Sequence, residues 1–360
     1  MRPRSPEPAG AALRADLAAC AALLRQGSKT FHAASKLLPS NVRAPAVALY
    51  SFCRLADDAV DGGGGSAALE AMRERLADAY AGRPAPTPAD RAFAWAVAAF
   101  DIPAALPEAL LEGFAWDAEG RRYETLADLE AYAARVAGSV GALMSVRMDA
   151  RQREVLARAC DLGIAMQFTN IARDVGEDAR LGRLYLPLAW MREAGLDPDG
   201  WLAQPVFSAE LATVIARVLE AAERLYSRSS AGIAELPVSC RPGMHAARLL
   251  YAEIGREVQR RGLDAVSQRA VVPTSRKAAL LPSVLMAAAS TPAASDHEAA
   301  LEAARFLVDA AARPAAGPVP AAGYRARRFE ERVVWLLGLF ERLERGERRL
   351  HPGMAQPTQS

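Results

Sequence analysis

Long apolar runs are missing from this 360-residue chain. No stretch reaches roughly eighteen uninterrupted apolar residues, so no membrane-spanning helix is expected. Cysteine is scarce: Cys20, Cys53, Cys160 and Cys240 lie far apart and form no C-x-x-C or Cys/His cluster. That removes the spacing signal of a zinc site or a disulfide framework and fits reduced thiols in a cytoplasmic protein. The opening residues, MRPRSPEPAG, lack the apolar core of a secretory signal, so none is expected. Net charge is only +2 at pH 7, too little to argue for a nucleic-acid partner. Aromatics reach just 6%, and alternating runs of Val, Ile and Thr are almost absent, which argues against a sheet.

Alanine is abundant instead, 51% of residues are hydrophobic and 24% are charged. The expected class is all-α. Residues 1–10 are Pro-rich and expected to be disordered. A domain over 11–280 should follow, then a C-terminal helical extension over 281–345 and a disordered tail over 346–360. Helices are expected near 11–26, 31–38, 66–81, 90–100, 104–120, from Asp128 onward, 151–178, 208–234 and 242–262, with one more around Tyr50 to Asp61. VVPTSRK at 271–277 reads as a basic loop, and 281–325 as an Ala-, Ser- and Pro-rich stretch with one helical piece at 297–312. A helix over 327–345 has an apolar face (Val333, Val334, Leu336, Leu337, Leu339, Phe340) opposite a charged one. Two readings stand for it, packing on the domain or contact with a membrane surface or partner.

The organising stretch is GIAMQFTNIARDVGEDARLGRLYLP, from Gly163 to Pro187. Gln167, Asn170, Asp174 and Asp178 step by three, four and four, which places all four on one helical face. Leu162, Ile164, Ala165, Met166, Phe168, Ile171, Ala172 and Val175 cover the rest, so the stripe should point inward. Two carboxylates and an amide at this pitch offer hard oxygens to Mg²⁺ or Mn²⁺. Two acids at i, i+4 repel by a few tenths of a kcal/mol in water, and a cation would relieve that. A second acidic stretch, YSFCRLADDAVD at 50–61, carries Asp57 and Asp61 again at i, i+4, with Arg54 one turn before and glycines 62–65 ending the helix. Two such helices facing each other would form a polynuclear metal site for a phosphate-rich ligand. The plainer alternative for each is a solvated face with an accidental spacing.

GSKTFHAASKLLP at 27–39, ALYSFCRLADDAVD at 48–61, RRYETLADLEAYAARVAGSVG at 121–141, LGIAMQFTNIARDVGEDARLGRLYLP at 162–187, and the run from IGREVQRRG to AVVPTSRK at 254–277 together resemble the squalene/phytoene synthase family, in particular its bacterial phytoene synthase branch. The resemblance spans roughly 25–277 and does not cover the tail after about 281. Asp149 and Phe168 depart mildly from the pattern, and neither is at a metal position.

The resemblance implies an all-helical isoprenoid synthase fold, a single bundle around a central cavity. It implies that Asp57, Asp61, Asn170, Asp174 and Asp178 are Mg²⁺ ligands. It assigns catalytic roles to Arg54, Tyr50, Tyr132 and Tyr251. Ser28 and Lys29 match a flap that closes over diphosphate, Arg54 and Gln167 match its binding site, and Ala137, Val140, Gly141 and Met144 match the wall of a hydrocarbon channel. Plainer readings stay open: Arg54 as an ion-pair partner of Asp57 and Asp58, the tyrosines as core residues, Lys29 as a solvated lysine. Arg173, Glu177, Arg180 and Arg183 read as surface ion pairs, Asp117 and Glu112 as solvated, and His32 and His245 as no ligands.

The implied reaction is the first committed step of carotenoid biosynthesis. Two geranylgeranyl diphosphates condense head to head through prephytoene diphosphate to phytoene, with no NADPH and no dinucleotide motif beyond a lone GGGG at 62–65. A peripheral membrane contact and handover to a phytoene desaturase would accompany it. The alternatives are a C15 enzyme making squalene, dehydrosqualene or presqualene diphosphate, and a non-catalytic relative acting as an assembly factor. A terpene cyclase would need a different second acidic motif.

Overall fold

Two long helices form the spine. A computed structural model describes residues 10–27, 35, 40–59, 65–289 and 298–312, and among these no strand occurs. Helices α1 (Ala11–Gly27), α2 (Ser40–Ala59), α3 (Gly65–Tyr80), α4 (Pro88–Phe100), α5 (Ala105–Ala118) and α6 (Leu126–Ala133) come first. A π-helical turn, Ala134–Gly138, leads directly into α7 (Ser139–Arg147). The spine is α8 (Arg153–Arg180) with α11 (Ala209–Glu235), and the short helices α9 (Leu188–Glu193) and α10 (Pro198–Ala203) lie between them in sequence. Then follow α12 (Arg241–Arg260), α13 (Thr274–Ala279), α14 (Leu281–Ala289) and α15 (Arg305–Ala311), the last entered through a 3₁₀ turn at Glu302–Ala304.

The start signals are local. Thr87 caps α4 by accepting from the Asp90 N–H, with Pro88 in the first turn. Thr125 and Asp128 form a capping box on α6. Ser208 accepts from the Leu211 N–H to open α11. Asp149, the departure noted in the sequence, has φ 60° and ends the turn after α7, a left-handed position that Asp tolerates better than most side chains.

The core is continuous along α8 and α11: Ile164, Phe168, Leu211, Val214, Ile215 and Val218 have no accessible surface. The Thr169 and Tyr226 hydroxyls meet at 2.9 Å between the two helices. Arg91 on α4 grips Asp16 on α1 with two hydrogen bonds of 2.9 and 2.5 Å, fixing the N-terminal helix to the bundle. Gly141 and Gly163 let main chain approach main chain: a Cβ on either would stand 2.1 Å from a carbonyl oxygen, of Ala159 and Ala137 respectively. Gly141 and Gly163 therefore serve close packing of α7 and the π turn on α8.

Three expectations need correction. VVPTSRK is not all loop, since α13 begins at Thr274. The stretch after 281 opens with α14, and the helix expected at 297–312 is confined to the 3₁₀ turn and α15. The expected C-terminal extension begins in the main core, where Ala304, Leu307, Val308 and Ala311 are buried. Most of 31–38, the 327–345 helix and both terminal segments lie outside the described residues. No described helix is long and apolar enough to cross a membrane.

Candidate active site

One face of α8 builds a wall. Val155, Arg158, Ala159, Leu162, Gly163, Met166, Gln167 and Asn170 all line a cavity of about 450 Å³. From Val155 to Asn170 is fifteen positions, about 22 Å of helix at 1.5 Å per residue. α2 supplies Ala46, Leu49, Tyr50, Cys53 and Arg54 in the same periodicity, and α12 supplies Gly243, Met244, Ala247 and Tyr251. Val136 and Ala137 from the π turn, with Val140, Gly141, Leu143 and Met144 from α7, complete an apolar side. The expected residues Tyr50, Arg54, Tyr132, Tyr251, Gln167, Asn170, Ala137, Val140, Gly141 and Met144 are thus brought together around one space.

Asp174 and Asp178 continue the stripe beyond Asn170, but they are not among the lining residues. Arg173 and Arg269 both grip Asp174, Arg269 through bonds of 2.7 and 3.2 Å. Burial pushes the Asp174 carboxyl up, but the hydrogen bonds from Arg173 and Arg269 outweigh it and hold it below its ordinary range. Burial first, then the nearby Asp174 charge, pushes Asp178 up to about 7. Arg269 arrives because the segment after α12 lies tight on α8, where the Gly176 N–H donates to the Ala265 carbonyl at 3.0 Å.

Ser28, Lys29 and Asp61 lie outside the described residues, as does the side chain of Asp57, whose backbone follows Arg54 in the α2 register. Arg54 lines the cavity and also pairs with Asp58 at 2.5 Å, the second of the two acids named for it in the sequence.

Asp117 is the main correction. Expected to be solvated, it lines the cavity from the end of α5 and accepts from Tyr132 at 2.9 Å and Tyr185 at 2.7 Å. The two rings stack with centroids 5.2 Å apart, and Tyr123 closes the cluster at 5.1 Å from Tyr132. Burial, reinforced by the Asp117 charge, raises the Tyr132 and Tyr185 hydroxyls above their ordinary pKa, so both stay protonated donors. The Leu188 and Ala189 N–H groups bond to the Tyr123 and Glu124 carbonyls, which is what swings Tyr185 onto this cluster. Arg183, expected as a surface ion pair, also lines the cavity. Glu112 pairs with Arg135 at 2.9 Å.

Among the described residues no three His, Cys, Asp or Glu side chains are grouped to hold a metal ion. The donor chemistry present nevertheless fits a hard divalent cation. Asn170, Asp174 and Asp178 offer an amide and two carboxylates along one face. The raised Asp178 is a charge that its surroundings disfavour and a cation would restore.

The family model described as squalene/phytoene synthase matches residues 24–277. A protein of Cereibacter sphaeroides named phytoene synthase is 52% identical over 314 residues, 83% of this chain and 88% of its own length. One of Rhodobacter capsulatus with the same name is 53% identical over 281 residues, 77% and 83% of the two chains. Among solved structures, a dehydrosqualene synthase in complex with ligand superposes with a TM-score of 0.69 at 30% identity, covering 76% of this chain and 96% of its own.

Proposed function

The chain belongs to the squalene/phytoene synthase family, and on that premise we propose that it is a phytoene synthase, a prenyltransferase joining two geranylgeranyl diphosphates head to head through prephytoene diphosphate to phytoene. The observation that carries this reading is the identity of about half, over most of both chains, to relatives named phytoene synthase.

The cavity supports the chemistry. Its polar end gathers Arg54, Arg183, Gln167 and Asn170, donors suited to a diphosphate. Its apolar side, from Val136 through Met144, keeps water from an allylic cation that water would quench. Tyr132 and Tyr185, protonated and fixed by Asp117, present rings and hydroxyls to that space. Mg²⁺ or Mn²⁺, held by Asn170, Asp174 and Asp178 with Asp57 and Asp61, would supply Lewis-acid neutralisation of the departing diphosphate. No NADPH enters the reaction. Ser28 and Lys29 would close over the diphosphate, and Tyr50 and Tyr251 would flank the reacting carbons.

The C15 substrate is the second reading, favoured by the likeness to the dehydrosqualene synthase. Diphosphate release separates the two. The purified protein with Mg²⁺ should release it faster from geranylgeranyl than from farnesyl diphosphate, and no release from either would refute the reading. The greasy product motivates a cytoplasmic protein in peripheral contact with a membrane through 327–345 and handover to a phytoene desaturase. Equal binding of liposomes by the full chain and by a version ending at residue 325 would exclude that segment as the anchor.

A further inference from the structure

The end of the cavity remote from Asn170 carries charges that the chemistry above does not use. Arg158 lines the cavity twelve positions before Asn170 and is 3% exposed. Its Nε lies 2.9 Å from Asp161 Oδ2, and Arg228 on α11 reaches the same oxygen with its Nε at 3.0 Å. Asp161 has no exposed surface. Both guanidiniums then turn to one short piece of main chain. Arg158 Nη2 donates to the Glu298 and Ala299 carbonyls at 3.0 and 3.2 Å, and Arg228 Nη2 donates to the Ala299 carbonyl at 2.8 Å. Arg228 Nη1 also pairs with the Glu298 carboxylate. Gly232 makes room for this, since a Cβ there would stand 2.3 Å from that of Arg158.

A buried ion cluster is a poor source of stability, because apolar side chains of the same volume serve as well or better. Here the charges are spent on fixing backbone. The piece they fix leads into α15, whose Leu307 is fully buried. A Cβ on Gly138 would be 3.6 Å from Leu307 Cδ1, and Gly138 sits between the wall residues Ala137 and Val140. Residues 298–312 therefore back the cavity wall from outside.

We propose that Arg158 is a positioning residue that determines chain-length specificity: with Asp161 and Arg228 it fastens residues 298–312 behind the remote end of the cavity and so fixes the length of prenyl chain admitted. The inference rests on the prenyl diphosphate reading above. Without the fastening the wall yields, and discrimination between chains of different length falls.

The test uses the full chain and measures kcat/KM separately for geranylgeranyl and farnesyl diphosphates with Mg²⁺. Arg158→Met keeps an apolar stem of similar length and removes the guanidinium. The ratio of the two kcat/KM values should fall by about tenfold, the low end of what a pocket reads for a single methylene. Arg158→Lys, which keeps the charge beside Asp161, should recover part of it. A merely structural role would lower both values together and leave their ratio unmoved. A folded Arg158→Met variant with the wild-type ratio would overturn the inference. If far-ultraviolet circular dichroism shows that variant unfolded, Glu298→Gln decides by the same criterion, with a smaller shift expected in the same direction. Wild-type protein inert with both substrates would overturn the prenyl diphosphate reading and this inference with it, whereas an active wild type with unshifted variants would overturn this inference alone.

Discussion

Replacing Gly163 by Ala pits two effects of opposite sign. Ala gains roughly 1 kcal/mol over Gly in a helix interior. Yet the new Cβ would lie 2.1 Å from the Ala137 carbonyl oxygen, 2.6 Å from its carbon and 3.0 Å from the Gly138 nitrogen, where ordinary contact begins at 3.4 Å. All three atoms are main chain of the π turn, so no side chain can swing aside. Overpacking of this kind costs about 1–3 kcal/mol, and rigid neighbours put it at the upper end. The net expectation is a loss of about 2 kcal/mol. Gly255 on α12 is the internal control: a Cβ there meets only the end of Leu219, Cδ2 at 3.1 Å, with Thr169 Cγ2 at 3.9 Å. Gly255→Ala should fall between neutral and a gain of about 1 kcal/mol. Urea denaturation of the three proteins measures both. Because Ala137 and Gly163 line the cavity, Gly163→Ala should also raise KM. A Gly163→Ala protein as stable as the wild type would refute the claim that α8 and the π turn touch backbone to backbone.

The remaining predictions concern charge. Burial first, then Arg248 and Arg241, lowers His245 from its ordinary 6.5 to about 4, so it is neutral in the fold. Its stabilising contribution is complete above pH 6.5 and is lost as pH falls toward 4. Between pH 7 and 5 the wild type should therefore lose about 2 kcal/mol more than His245→Leu in urea titrations. Tyr185→Phe removes one hydroxyl that holds Asp117 and should cost about 1–2 kcal/mol of stability together with a fall in kcat; an unchanged kcat would detach the tyrosine cluster from the reaction. Chelation should abolish diphosphate release, with Mg²⁺ or Mn²⁺ restoring it, and Asp178→Asn should lose about 10²-fold or more in kcat.

The sequence made the polar stripe of α8 legible because four polar residues at helical spacing stand out on an otherwise apolar helix. Tyr50, Arg54, Tyr132 and Tyr251 were reachable through the family resemblance, and all four line the cavity. Asp117 was not legible: a single acid at a helix end has no periodicity, and its partner Tyr185 is 68 residues away. Arg269 was hidden for the same reason, 95 residues from Asp174. The π turn follows no spacing rule that the sequence prints. Among the shorter helices, α13 spans six residues and was masked by its basic charge, which reads as loop. The C-terminal piece read as an extension because its burial depends on carbonyls held by Arg158 and Arg228, contacts that no local pattern encodes.

The most direct test of the account is the identity of the product. Purified protein is incubated with geranylgeranyl diphosphate and Mg²⁺ in the absence of NADPH, and the extract is resolved by chromatography and mass spectrometry. The account predicts a C40 hydrocarbon with the absorption of phytoene. Absence of any C40 product, with a C30 product from farnesyl diphosphate instead, would contradict it and move the enzyme to the shorter substrate.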